Sequence, residues 1–159
     1  MLISRKSPSS RTRRARDLLS EPVGTTRRVA AAVCFRRRER QLQFRLVRTR
    51  DGQRWTFPNG PRRPAETLVQ AVAREAGDKA GVIGVVVEQP LTEYRHARRE
   101  DDLATAFLLA VQSTGPSGGA GSHATWFDLP TTRDKLAEGR DPDQARELQH
   151  VIEVAEEQL

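Results

Sequence analysis

Two carboxylates and one ammonium lie on the same face of a helix that the sequence predicts. From Glu66 onward, apolar residues recur at the three- and four-residue spacing of an amphipathic helix, at Leu68, Val69, Val72 and Ala76. Glu75, Asp78 and Lys79 stand at positions i, i+3 and i+4, which share one face of a helix. Hard divalent ions such as Mg2+ and Mn2+ prefer carboxylate oxygens. Glu75 and Asp78 are therefore candidate metal ligands.

Lys79 puts a cation beside these carboxylates. The simplest interpretation is an exposed Glu75–Lys79 helix pair, which contributes only about 0.3–0.5 kcal/mol. The same pair would compete with a metal ion for Glu75. Two outcomes stay open: one metal ion binds while Lys79 contacts phosphate directly, or only the fold of the site is retained.

A longer pattern surrounds these positions in the segment 58–82, PNGPRRPAETLVQAVAREAGDKAGV. Its fixed positions are, in order, Gly60, Glu66, Arg74, Glu75, Gly81 and Val82. The segment resembles the Nudix box, G-x5-E-x7-R-E-U-x-E-E-x-G-U, where U is a bulky apolar residue, and six of the nine defined positions match strictly. Asp78 keeps the charge of a Glu, Ala76 is small where a bulkier residue is usual, and Lys79 reverses the charge of the last Glu.

The resemblance implies a function for the matched residues. In the family, the helix carboxylates bind the metal ions and help to activate water, so Glu75 and Asp78 are the expected catalytic residues, with Mg2+ or Mn2+ as cofactor. The family's Arg pairs with its first Glu and braces the loop against the helix. Gly60, Glu66 and Arg74 are therefore the expected structural brace, and a glycine also allows close backbone approach.

Three cations near the motif are candidates for phosphate contacts, namely Arg62, Arg63 and Lys79. A solvated loop accounts for the two arginines equally well. Nudix proteins often use a further acid from outside the box, and the candidates here are Glu93, Glu100, Asp101 and Asp102. A solvated turn is the simpler interpretation for any one of them.

Outside the motif, the chain predicts one α/β domain. The segments at 29–35, 41–48, 82–87, 103–111 and 124–129 have strand patterns, and helical patterns cover 131–138 and 142–158. Prolines and a glycine at 58–65 predict a loop without regular structure, and 93–102 is a charged segment. The resemblance extends to Trp55–Pro58 and to Ala124–Phe127, and it implies a Nudix-like α/β/α sandwich with a mixed β-sheet over residues 28–159.

The positive charge is concentrated at the N-terminus. Residues 1–28 carry eight Lys or Arg and two acids, and the remaining 19 basic and 19 acidic residues cancel. The composition of residues 1–27 therefore predicts a disordered basic arm. This arm is either simply solvated or binds an anionic partner non-specifically. The neutral remainder weakens any interpretation of the whole domain as a nucleic-acid binder.

Several other classes of protein and of site are disfavoured. Cys34 is the single cysteine, which excludes an intramolecular disulfide and a Cys-rich zinc site, and its apolar surroundings predict a core residue. His96, His123 and His150 lack the spacing of metal ligands. No apolar stretch is long enough to span a membrane, and a reducing cytoplasm is the expected location. Trp55 and Trp126 are candidates for base stacking, although burial in the core is the simpler expectation.

The implied activity is hydrolysis of a nucleoside diphosphate linked to another moiety, dependent on a divalent metal ion and with activity reduced by Lys79. The alternative is a catalytically impaired Nudix-fold protein that binds a nucleotide or regulates a partner. A third interpretation, a generic α/β domain with an accidental match, conflicts with the agreement between the motif and its flanks. The substrate and the oligomeric state are left open.

Overall fold

The computed structural model of the chain describes residues 28–96, 103–116 and 123–159. The predicted basic arm at 1–27 lies outside these residues, as do Glu100, Asp101 and Asp102. Within these ranges the chain forms eight strands, β1 Arg28–Arg38, β2 Gln41–Arg48, β3 Trp55–Thr56, β4 Asn59–Pro61, β5 Val82–Val86, β6 Thr92–Arg95, β7 Leu103–Thr114 and β8 Ala124–Asp128. The helices of the described residues are α1 Leu68–Ala80, α2 Leu129–Ala137 and α3 Pro142–Gln158.

The strands form one mixed sheet with β1 at its centre. The main path of the sheet is β3-β2-β1-β7-β5, while β4 pairs with β1, β6 with β7 and β8 with β2. Strands β1 and β7 are parallel, with Arg28 opposite Leu103 and Phe35 opposite Ala110. The other pairs are antiparallel. The predicted mixed sheet is confirmed.

Helices cover both faces of this sheet, because alternate residues of a strand point to opposite faces. Ala30, Ala32 and Cys34 of β1 pack in a core with α1, whereas Val29, Ala31 and Val33 pack in a second core with α2 and α3. The product is three layers, α/β/α, and the apolar stripe of α3 lies inside as the sequence predicts.

Two strands and one helix boundary were predicted wrongly. The loop predicted at 58–65 contains strand β4, which pairs Gly60 with Ala30. The prolines do not prevent this pairing, since the carbonyl of Pro58 still accepts from the N–H of Ala32 at 2.9 Å. Strand β6 overlaps the segment 93–102, which was predicted only as charged. The strand was missed because Tyr94 is its one deeply buried side chain, so its sequence shows no apolar alternation.

The helix of the motif begins at Leu68 and not at Glu66. Thr67 is its N-cap and forms a capping box with Gln70, in which each side chain accepts from the other's backbone N–H. In the part of the chain that the structure describes, no helix has the length and apolarity needed to cross a membrane.

Candidate functional site

Two glycines, Gly81 and Gly60, allow other parts of the chain to approach helix α1 closely. Gly81 ends the helix in the left-handed conformation, at φ 66° and ψ 31°. A Cβ atom at Gly81 would lie 2.6 Å from the carbonyl oxygen of Gly115, so no larger residue fits there without a shift. The sequence predicts this helix end, but nothing in it signals the close approach of the loop after β7.

Gly60 lies directly over the carboxylate of Glu75. A Cβ atom at position 60 would be 2.2 Å from Oε2 of Glu75, which is far inside van der Waals contact. Glu75 is only 5% exposed, so its carboxylate is enclosed between the helix and strand β4. The close backbone approach expected at Gly60 is therefore an approach to Glu75 itself.

Arg74 joins the loop before the helix to the helix. Its Nε lies 2.8 Å from Oε2 of Glu66, and its Nη2 donates to Oε1 of the same carboxylate at 2.9 Å. Its Nη1 donates to Oε2 of Glu75 at 2.6 Å. The hydrogen bond from Arg74, followed by that from the N–H of Arg63, lowers the pKa of Glu66 to about 2 despite partial burial. One guanidinium therefore bridges two carboxylates and fixes their separation.

Lys79 occupies the remaining side of Glu75. Its Nζ lies 2.9 Å from Oε1 of Glu75 and donates to the backbone carbonyl of Asn59. The Lys79–Oε1 contact lacks hydrogen-bond geometry, so this buried oxygen has no hydrogen-bond donor. The Lys79 side chain is 45% exposed and that of Glu75 is 6% exposed. The carboxylate thus lies between two cations, of which Lys79 is the one free to move into solvent.

The other predicted site residues are more exposed. Asp78 is exposed, and its side chain forms no hydrogen bond or ion pair within the described ranges. Arg62 donates through Nη1 to the carbonyl of Glu66 at 3.2 Å, whereas the side chain of Arg63 is exposed. Ala65, which lies between Arg63 and Glu66, has φ 65°, a left-handed conformation that costs a non-glycine residue roughly 1 kcal/mol or more.

These residues fit one divalent ion on one condition. Oε1 of Glu75 and the carbonyl of Asn59 converge on a single position, and the Lys79 ammonium already lies there. Mg2+ is commonly held by one or two carboxylates together with phosphate oxygens and water. Oε1 of Glu75 and the carbonyl of Asn59 could supply two of these oxygens once Lys79 swings away, and Asp78 is exposed three residues after Glu75 on the same helix. The described residues contain no group of three or more His, Cys, Asp or Glu side chains suited to a metal ion.

Of the four candidate acids outside the motif, Glu93 is the one that lies within the described residues. The sheet pairings form one row across four strands, in the order Gly60, Ala30, Thr105 and Glu93. Neighbours in such a row point to the same face, so Glu93 lies on the face that carries Glu75. Its Oε2 is 3.2 Å from Nη1 of Arg28.

The aromatic and thiol candidates belong to packed surroundings. Trp55 is 7% exposed and packs edge-on against Phe127 at 5.0 Å. The ring of Trp126 carries the guanidinium of Arg36 at 3.9 Å, a contact that the sequence did not predict. Burial raises the pKa of the Cys34 thiol to about 12, against a lowering effect of nearby positive charge, so Cys34 is a core residue and not a nucleophile.

Comparison with known proteins agrees with this geometry. A NUDIX domain model matches residues 26–149. The fold is similar to a crystal structure of C. elegans Ap4A hydrolase, with a TM-score of 0.68 at 16% identity over 84% of this chain and 98% of the other. A NUDIX hydrolase from Nitrosomonas europaea gives a TM-score of 0.66 at 23% identity over 84% and 90% of the two chains.

A third similar structure is the NUDIX domain of Shewanella oneidensis NrtR complexed with ADP ribose, with a TM-score of 0.58 at 19% identity over 84% and 88% of the two chains. No curated protein matches the sequence significantly. The predicted α/β/α sandwich is confirmed by these folds. Since the domain model covers most of the chain, including the Glu66–Arg74–Glu75 arrangement, the chain belongs to the Nudix family.

Proposed function

We propose that this chain is a hydrolase that cleaves a nucleoside diphosphate linked to another group, using one divalent metal ion. The observation that carries the proposal is the enclosed carboxylate of Glu75, 5% exposed beneath Gly60 and held by Arg74 at 2.6 Å. Enclosing a carboxylate in this way is costly unless it is paired. An enclosed carboxylate that is held by an ion pair within the motif of a family member is a candidate for catalysis.

The residues of the site divide the work as follows. Arg74 fixes Oε2 of Glu75 and leaves Oε1 without a hydrogen-bond donor, so Oε1 is the oxygen that would orient a water molecule and accept its proton once Lys79 has moved. Glu75, Asp78 and the carbonyl of Asn59 would hold Mg2+ or Mn2+, which supplies charge neutralisation at the diphosphate when bound. Arg62 and Arg63 lie in the loop between β4 and α1 and would supply positive charge to the phosphates.

Lys79 sets the condition for this activity. Its ammonium has to leave Glu75 and Asn59 before a metal ion can use the same oxygens, and its 45% exposed side chain allows that movement. After leaving, the flexible side chain of Lys79 can still reach a phosphate group of the substrate. We therefore expect slow hydrolysis at low metal concentration and faster hydrolysis as the metal concentration rises.

A substrate panel tests the proposal. The purified chain is incubated with ADP-ribose, dinucleoside polyphosphates and nucleoside triphosphates, each with and without Mn2+. ADP-ribose is bound in one of the similar structures, and Ap4A, a dinucleoside polyphosphate, appears in the name of another. Glu75→Gln should abolish product release, whereas Glu153→Gln, the same change on an exposed position of α3, should not. Absence of product from every substrate at high Mn2+ would refute the proposed activity.

A second function is favoured by the Lys79 contacts. With its ammonium held in the position of the metal ion, the chain would bind a diphosphate without cleaving it. Calorimetry without metal tests this alternative: binding of ADP-ribose at equal strength with and without Mn2+, together with no turnover, would support a binding or regulatory module. A gain of hydrolysis in Lys79→Glu would then identify Lys79 as the residue that blocks the enzyme.

A further inference from the structure

The indole ring of Trp126, on strand β8, is contacted by two arginine side chains. The sheet register pairs Trp126 with Arg45 of β2. Arg36 stands on β1 two residues beyond Cys34, which is the partner of Arg45, and therefore points to the same face of the sheet. The Cζ atom of Arg36 lies 3.9 Å from the centre of the Trp126 ring, and that of Arg45 lies 5.5 Å from it. Because a guanidinium is attracted to the face of an indole, this ring brings the two cations together.

Each of the two guanidiniums is anchored through its Nε atom. Nε of Arg36 donates to Oε1 of Gln43 at 2.8 Å. Nε of Arg45 donates at 2.7 Å to the carbonyl oxygen of Ala80, the last residue of α1. Their terminal Nη1 and Nη2 atoms have no acceptor among the described residues, and these atoms are not buried. The anchored arginines therefore present their terminal nitrogens to solvent, in the planar fork that pairs with oxyanions.

The groups of this cluster that lack a partner are all hydrogen-bond donors. The indole N–H of Trp126 and the side-chain amide nitrogen of Gln43 also donate to no acceptor in the part of the chain that the structure describes, and neither atom is buried. Guanidinium and indole nitrogens cannot act as acceptors, and the side-chain oxygen of Gln43 already accepts from Arg36. A ligand that matches this set carries negative charge and several acceptor oxygens.

The charge around the cluster is positive. Arg38 follows Arg36 by two residues and shares its face of β1. Partial burial, followed by the charges of Arg38 and Arg45, lowers the pKa of the Arg36 guanidinium. The carboxylate in the same row of the sheet belongs to Asp128, which already accepts the N–H of Thr131 at 2.9 Å and caps α2. An anion bound here would therefore reduce repulsion between cations.

The acids of the segment 97–102, outside the described residues, are attached at the other end of the sheet. Leu103, which follows them, pairs with Arg28, and Arg36 lies eight residues or roughly 26 Å further along β1. A six-residue segment tethered at both ends extends at most roughly 13 Å from its anchors. These acids therefore do not supply the counter-charge of the cluster.

We propose that Arg36, Arg45 and the indole N–H of Trp126 form a binding site for a phosphate group. A phosphate spreads its charge over more oxygens than a carboxylate does, so it can pair with two guanidinium forks and still accept from the indole. The free phosphate ion and the phosphodiester of a nucleic-acid strand share this chemistry. Along β1, Arg36 lies six residues or roughly 20 Å from Ala30, the partner of Gly60. The site is therefore separate from the proposed catalytic site and does not depend on it.

The indole N–H of Trp126 serves as the reporter of the test. The full chain, labelled with the heavy nitrogen isotope, is titrated with inorganic phosphate against chloride at equal pH and ionic strength. The chain has two tryptophans, so its spectrum contains two indole N–H signals, which a Trp126→Phe variant assigns. We expect the signal of Trp126 to shift and saturate, while that of Trp55, which is only 7% exposed, stays in place.

Matched variants separate a built site from general attraction to positive charge. Arg36→Met should weaken phosphate binding at least about tenfold, because it removes one charge-assisted fork. Arg36→Lys, which keeps the charge and loses the fork, should also weaken it. Arg37→Met removes the same charge from the next residue, which is exposed on the opposite face of β1, and should leave phosphate binding unchanged. Urea denaturation of each variant checks that the fold is retained.

Two further titrations identify the source of the phosphate. A short oligothymidylate without a terminal phosphate that shifts the Trp126 signal at lower concentration than inorganic phosphate would identify a nucleic-acid strand as the ligand. A response to inorganic phosphate alone would identify the free ion. The proposal is overturned if Arg36→Met binds phosphate like the original chain, if Arg37→Met weakens binding equally, or if acetate produces the same shift at the same concentration. Loss of the response in Lys79→Met would also overturn it, because the phosphate would then bind near Glu75.

Discussion

Replacing Lys79 with methionine removes the ammonium from the metal position while it keeps most of the volume of the side chain. Nζ lies 2.9 Å from Oε1 of Glu75 and also contacts the carbonyl of Asn59. Two unit charges 4 Å apart interact by about 1 kcal/mol in a water-like medium, which suits a side chain that is 45% exposed. For a doubly charged ion the repulsion is about 2 kcal/mol, so Mn2+ binding should strengthen roughly 30-fold.

The same substitution should cost little stability. The lost ion pair contributes at most about 1 kcal/mol, because one partner is half exposed and Arg74 still holds the other oxygen of Glu75. The assay is Mn2+ binding, followed by electron paramagnetic resonance of the free ion, with chemical denaturation measured in parallel. Lys135→Met is the matched control, since Lys135 pairs with Glu138 at 3.1 Å on the exposed surface of α2. An unchanged Mn2+ affinity in Lys79→Met would refute the competition between ammonium and metal.

Three further substitutions test the loop and the helix. Gly60→Ala should destabilise the fold by about 1–3 kcal/mol in urea denaturation, because its Cβ would lie 2.2 Å from a buried carboxylate oxygen, whereas Gly115→Ala meets no atom within 4 Å and should be nearly neutral. Glu66→Gln should lose up to about 3 kcal/mol at pH 7. Because the pKa of Glu66 in the folded chain is depressed to about 2, the difference in the free energy of unfolding between the variant and the original chain should shrink as the pH falls from 4.5, the value for the unfolded chain, through about 2. A difference that stays constant with pH would contradict this role of the Glu66 carboxylate. Ala65→Gly should stabilise the chain by up to about 1 kcal/mol, since φ at this position is 65°. The control Ala73→Gly, at an exposed position of α1, should destabilise it by a similar amount. A change of the same sign in the free energy of unfolding for both variants would exclude strain at position 65.

The sequence predicted those parts of the fold whose signals are local. Apolar periodicity located α1 and α3, and alternation located β2 with the boundaries that the structure has. Strand β4 was missed because its pairing is decided by the distant partner β1 and not by its own composition. The pairing of Arg74 with Glu66 was implied by the resemblance to the Nudix box, and the functional role of these residues stays a prediction.

The contacts within the site were harder to predict from the sequence than the secondary structure. Nothing in the residue type of Asn59 signals that its backbone carbonyl binds Lys79, because every residue carries a carbonyl. The Lys79–Glu75 pair was predicted from the i, i+4 spacing, but as an exposed pair, whereas Glu75 is enclosed. That enclosure depends on how closely β4 crosses α1, a distance that no local pattern encodes.

The central position of β1 has a consequence for how the chain folds. Its parallel partner β7 begins 75 residues later, at the pairing of Arg28 with Leu103, and the helix that carries Glu75 lies in the connection between them. Pairings across such long separations form late, because loop closure must precede the contacts that stabilise it. A ribosome-bound chain that ends before β7 therefore leaves one edge of β1 without its native partner. The amide protons of Ala30 to Val33, buried in the middle of the finished sheet, should exchange with solvent only when the whole domain opens.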